Sequence, residues 1–211
     1  MSVQVRTVEV ESGAWRVARW LTWSVCVFLC AVVALVSYRY LFSHGEAPPV
    51  ITNNVFKNPW LVIHVAGAAT ALLIGPLQFS SRLRARFPQF HRLIGRTYVV
   101  SCLVGGVAGF VLALGATTGP ISTIGFGSLA VLWIASTSLA WRRAMQGRFV
   151  DHRAWMIRSF AFTFAAVTLR LYLPLAALLS INFVDAYIAI SFLCWLPNLA
   201  VAELYLRNRA I

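Results

Sequence analysis

Six long apolar runs, separated by short polar stretches in which arginine recurs, set the plan of this chain: about Leu21 to Phe42, Pro59 to Phe79, Leu93 to Leu114, Thr123 to Trp141, Ala154 to Leu178 and Val184 to Leu206. Each is close to the ~20 apolar residues that a helix needs to cross a bilayer. None shows the short, strictly alternating pattern of a barrel strand. The pattern therefore predicts an all-α integral membrane protein, a single six-helix domain over residues 1–211. Composition agrees, since 60% of the residues are hydrophobic and 11% charged, against roughly 45 to 50% apolar usage in soluble domains. The first run follows Arg16 and Arg19 as a signal sequence would, but it exceeds the ~7 to 15 residues of a signal core. It reads as a retained first helix.

The net charge of +12 does not indicate a nucleic-acid partner, because the arginines are not gathered on one face with interleaved aromatics. They are sorted by side. With the amino terminus in the cytoplasm, 14 arginines fall on the cytoplasmic side and only Arg39 and Lys57 on the other, with Arg158 and Arg170 inside runs. This asymmetry predicts that both termini are cytoplasmic. The implied location is a multi-pass one in a bacterial inner membrane, with the lipid bilayer itself as the partner of the basic loops. Cys26, Cys30, Cys102 and Cys194 all fall inside runs without CxxC spacing, and read as small apolar packing residues.

The candidate chemistry lies in the histidines. His91-Arg92 and His152-Arg153 each end an arginine-rich connection, Ser80 to Arg92 and Arg142 to Arg153, so both fall at the inner edge of odd-numbered spans. Helical spacing places each histidine at the head of a stripe of small or polar residues. His91 leads Gly95, Tyr98, Cys102, Gly105, Gly106 and Gly109, while His152 leads Met156, Ser159, Thr163, Ala166 and Arg170. In the second span His64 shares a face with Gly67, Ala68, Ala71, Gly75, Gln78 and Arg82. Lipid-facing stripes would be large and apolar, so these three faces are expected to meet inside the bundle.

Two accounts of those stripes stand side by side. Small residues let helices approach closely, and the GxxxG spacing of Gly105 and Gly109 needs no cofactor to explain it. A glycine one turn from a histidine also leaves room for a flat macrocycle, as Gly67 does beside His64 and Gly95 beside His91. On that account His91 and His152, at equal depth, converge on one metal or haem iron. His64, roughly 8 Å below the outer end at 1.5 Å per residue, belongs to a different level. Of the arginines inside spans, Arg158 lies near enough to the edge to snorkel toward headgroups. Arg170 is deeper and should face the interior and pair, with Asp185 or an acidic ligand group as its partner.

The stretches His64 to Phe79 (HVAGAATALLIGPLQF), Phe90 to Tyr98 (FHRLIGRTY) and Asp151 to Pro174 (DHRAWMIRSFAFTFAAVTLRLYLP) resemble the bacterial predicted membrane proteins classed as domain of unknown function 2306. The resemblance covers most of the chain from the second span onward. It implies the six-helix membrane fold and carries no established reaction. A looser architectural similarity is to cytochrome b561-like bundles, in which histidines paired between helices two and four, and between three and five, hold two haems. His91 and His152 correspond to the second pair. The fourth span has no histidine, which leaves His64 with His44 of the outer loop, Ser43 to Asn58, as its only possible partner.

Hydrolytic and nucleotide motifs are absent: the sequence has no G-x-S-x-G, Walker loop, Rossmann glycine pattern or HExxH. Three classes of function remain. One is a redox protein holding haem b or a metal between His91 and His152, with Gly95, His64 and Arg170 as further cofactor-binding residues and quinone as an exchange partner. The second is a proton or small-molecule carrier using His64, Gln78, Arg170 and Asp185. Against this reading, no run shows the broken-helix signature common in transporters. The third is a subunit or assembly factor of a larger membrane complex.

Overall fold

The computed structural model describes residues 13–42 and 49–208. His44 and Glu46 of the long connection lie outside the described residues. Among the described residues the structure is helical, without strands, and six of its segments are long and apolar enough to span a membrane: Trp20–Phe42, Lys57–Phe79, Pro88–Leu114, Pro120–Met145, Phe149–Leu178 and Phe183–Arg207. The first is the outer part of α1 (Gly13–Phe42). A single turn, α2 (Pro49–Thr52), precedes α3 (Lys57–Ile74), and α3 tightens into a 3-10 turn over Gly75–Phe79. The third and fourth spans are α5 (Pro88–Leu114) and α6 (Pro120–Met145).

The helices outrun the apolar runs where the sequence supplies a start signal. Pro88 begins α5 and Pro120 begins α6, at first-turn positions where the missing N–H costs nothing. As a result His91 lies inside the first turn of α5, ahead of the apolar run rather than in a loop. The connection before it is also ordered. Ser80 accepts a hydrogen bond from Leu83 N at 3.2 Å and caps the short α4 (Ser81–Arg86), as an N-cap serine does.

The fifth and sixth spans depart from expectation, because each is broken near its middle. Span five divides at Phe164 into α7 (Phe149–Thr163) and α8 (Ala165–Leu178), and span six at Cys194 and Trp195 into α9 (Phe183–Leu193) and α10 (Leu196–Arg207). The expectation of unbroken helices is therefore corrected. In span six the cause is Pro197, which cannot donate to the carbonyl one turn back. Side chains replace the lost bonds: Trp195 Nε1 donates to Ser191 O at 3.0 Å, and Asn198 Nδ2 to Cys194 O at 2.9 Å. Asn198 also reaches Ala161 O (3.3 Å) and Thr168 Oγ1 (3.0 Å), so the two breaks face each other through one amide.

Neighbouring spans pack in chain order, α1 on α3, α3 on α5, α5 on α6 and α6 on α7, while α9 covers α6 and α10 covers α7. The α3–α5 contact is the tightest, because Gly67 and Gly105 bring the two backbones together. A Cβ at Gly67 would lie 2.6 Å from Ser101 O and 2.7 Å from Gly105 N. Large side chains such as Phe28, Leu35, Val100, Val107 and Val131 point outward, as a lipid-facing surface requires.

Candidate functional site

At the end of the bundle that carries α4 and the α6–α7 turn, three elements converge. His152, in the first turn of α7, donates from Nδ1 to Ala140 O of α6 at 2.8 Å, across a turn that Gly147 makes with φ +70°. A carbonyl only accepts, so Nδ1 carries a proton and Nε2 is the nitrogen left to meet another partner. This is how ligating histidines are usually held. His91 lies within electrostatic reach of His152 and of Arg84.

Three buried polar atoms at this end have no hydrogen-bond partner, His91 Nδ1, Gln78 Nε2 and Arg143 Nε. Gln78 is only 7% exposed and sits on the 3-10 turn that ends span two. Its amide lies against Gly95, where a Cβ would stand 3.2 Å from Oε1. The space beside Gly95 is therefore taken by the glutamine amide. Sequence reasoning placed Gln78 on a carrier path and missed it here, although its position one helical face from His64 and next to Pro76 was the available signal.

One turn deeper the interior is filled. Tyr98, fully buried, places its hydroxyl 3.1 Å from Ser159 Oγ and 2.9 Å from Thr163 Oγ1. Trp133 Nε1 donates to Thr163 Oγ1 at 2.9 Å, and Thr137 Oγ1 lies 2.7 Å from Ser159 Oγ. Satisfied hydroxyls bridging α5, α6 and α7 are worth retaining in an apolar interior, where an unpaired group is costly. Trp133 and Thr137 come from span four, which has no histidine, and were not among the expected site residues.

In the other half of the bundle the second candidate level divides differently. His64 Nδ1 donates to Gly105 O of α5 at 2.8 Å, and its ring packs where a Cβ of Gly109 would come within 2.9 Å. The room expected beside His64 is filled by backbone, so Gly67 serves close helix packing. Arg170 of α8 faces inward as expected, yet its partners are Ser37 Oγ and Ala166 O, both at 2.9 Å. Asp185 is exposed in the first turn of α9 and forms no ion pair with it. Arg158 corrects the snorkelling expectation. It pairs with Glu203 through Nε (2.5 Å) and Nη2 (2.9 Å), with its guanidinium 4.8 Å over the Trp155 ring.

The His91–His152 end can be tested for fit to the expected cofactor. Among the described residues no group of three or more His, Cys, Asp or Glu gathers, so a protein-only tetrahedral metal site is not formed. Two imidazoles suit haem iron, whose macrocycle supplies the other ligands, and the arginines of α4 and the α6 end suit its carboxylates. Gln78 fills the room beside Gly95, so a macrocycle held by the two histidines would have to displace its amide. A groove of ≈ 470 Å³ between α5 and α6, lined by Phe110, Leu114, Ile124 and Val131, opens toward lipid and contains none of these groups.

No curated protein and no solved structure matches the chain. The three segments that carry the histidines and Arg170 all fall within residues 61–206, which match the family described as Predicted membrane protein (DUF2306), and the chain belongs to that family.

Proposed function

We propose that this protein is a membrane redox protein that holds a b-type haem, or another metal centre with imidazole ligands, between His91 and His152. The observation that supports the reading is the fixed tautomer of His152, whose Nδ1–H bonds Ala140 O at 2.8 Å and leaves Nε2 to ligate, with His91 close by. Positive-inside sorting of the arginines supports a cytoplasmic side for this end, in a bacterial inner membrane. Bound there, haem would exchange single electrons with a quinone or a neighbouring complex. The protein's own contribution is to orient the imidazoles, exclude water through the Tyr98 layer and neutralise carboxylates with arginine.

The test is the absorption spectrum of dithionite-reduced protein, purified in detergent from haem-supplemented cells. A Soret band that disappears in His91→Ala and His152→Ala but persists in Tyr98→Phe is the expected result. A protein without bound haem or transition metal, or a spectrum that survives both histidine changes, overturns the proposal.

A carrier reading is favoured by one separate observation, the paired breaks at Phe164 and at Cys194 and Trp195 joined by Asn198. Discontinuous helices near the midplane commonly form transport sites. Proton flux into proteoliposomes that is unchanged by Asn198→Ala and His64→Ala argues against it.

A further inference from the structure

Arg170 lies at the other end of the bundle from the histidine pair, and nothing in the redox proposal uses it. Its guanidinium is held between α1 and α8 by two neutral acceptors, Ser37 Oγ and Ala166 O. Two of its five N–H donors are thereby satisfied, and no carboxylate of the described residues lies within 4 Å. The surroundings add donors and positive charge. His64 lies within electrostatic reach of Arg170, as do Tyr40, Arg39 and Tyr187. The nearest acid in sequence, Asp185, is exposed in the first turn of α9.

A buried guanidinium is always charged, so it cannot escape its environment by losing a proton. An interior charge is ordinarily paired, and an intramembrane arginine marks a ligand or ion path. The planar fork matches the two oxygens of a carboxylate or phosphate. Ser37 and the Ala166 carbonyl fix the guanidinium while leaving donors uncommitted. Tyr187 of α9 and Tyr40 of α1 lie within electrostatic reach of the same guanidinium.

We infer that α1, α3, α8 and α9 enclose an oxyanion site centred on Arg170, which takes a carboxylate or phosphate group. The group comes either from a membrane lipid or from a soluble anion. The site is separated from the histidine pair by the buried hydroxyl layer, so the two fail independently.

The test uses the full chain in detergent, with two readouts. Native mass spectrometry asks whether an anionic phospholipid co-purifies. Thermal unfolding with added inorganic phosphate or butyrate, against equal chloride, asks whether a soluble anion binds. Arg170→Gln removes the charge. Arg170→Lys keeps the charge but loses the fork, so it remains informative if the glutamine variant does not fold. A phosphate- or butyrate-dependent rise in Tm that weakens at least tenfold in apparent affinity in Arg170→Lys supports the site with a soluble ligand. Co-purified anionic lipid lost from Arg170→Lys supports it with a lipid ligand. Neither effect in the wild type, or equal effects in wild type and variants, overturns it.

Discussion

The close backbone contact between α3 and α5 makes a quantitative prediction for Gly67→Ala. The new methyl would lie 2.6 Å from Ser101 O, 2.7 Å from Gly105 N and 2.8 Å from Gly105 Cα. All three are backbone atoms, so no side chain can rotate away. Reaching ordinary contact at 3.4 Å requires the helices to separate by about 0.8 Å. The same movement stretches the His64 Nδ1 to Gly105 O bond from 2.8 Å to about 3.6 Å, beyond hydrogen-bonding distance. Overpacking costs ~1 to 3 kcal/mol and a lost interhelical bond in a membrane ~0.6 to 1.7 kcal/mol. Alanine's better helix propensity returns ~1 kcal/mol. The net destabilisation is about 0.6 to 3.7 kcal/mol, measured by denaturant unfolding in mixed micelles. Gly127→Ala is the control, since its added Cβ meets only the Phe110 ring, at 3.8 Å. That variant should be neutral or slightly stabilised. Equal stability of the two variants would refute the reasoning, because the α3–α5 contact would then be loose enough to absorb a methyl group.

Two further outcomes follow from polar pairs that join helices. Glu203→Gln should cost about 1 to 3 kcal/mol by weakening the two-point bond to Arg158, whereas Arg158→Met combined with Glu203→Leu should recover most of that loss; a double variant no more stable than the single one contradicts this account. Asn198→Ala should cost about 1 to 3 kcal/mol and speed hydrogen exchange around Trp195, because Cys194 O and Thr168 Oγ1 lose a donor; protection that stays unchanged places the stability of the break elsewhere.

The spans were legible because crossing a bilayer imposes a length and a composition that few other constraints mimic. Their ends were less so. Apolar windows stop at the last hydrophobic residue, while a helix continues through arginine until a cap or proline decides. This is why α5 begins at Pro88 and α7 at Phe149. The breaks in spans five and six had unequal signals. Pro197 marks one in plain sight, but Phe164 carries no helix-breaking residue and bends where Asn198 of another helix can bond Ala161 O. A break that depends on a partner helix leaves no local trace.

The same distinction explains the site. Helix phase correctly gathered the interior faces, because which residues share a side is a property of one helix. What fills the space opposite them is a property of two. His64 with Gly67 and His91 with Gly95 have the same spacing logic, yet Gly67 meets a backbone and Gly95 an amide side chain. Partner identity was equally hidden: Arg158 is 45 residues from Glu203, and Arg170 is 133 from Ser37. Span four, which has no histidine, then supplies Trp133 and Thr137 to a group of hydroxyls that ties α5, α6 and α7 together. Tyr98, Trp133, Thr137, Ser159 and Thr163 bond one another across three helices, so the middle of this interior is filled by a set of partners that no single helix encodes.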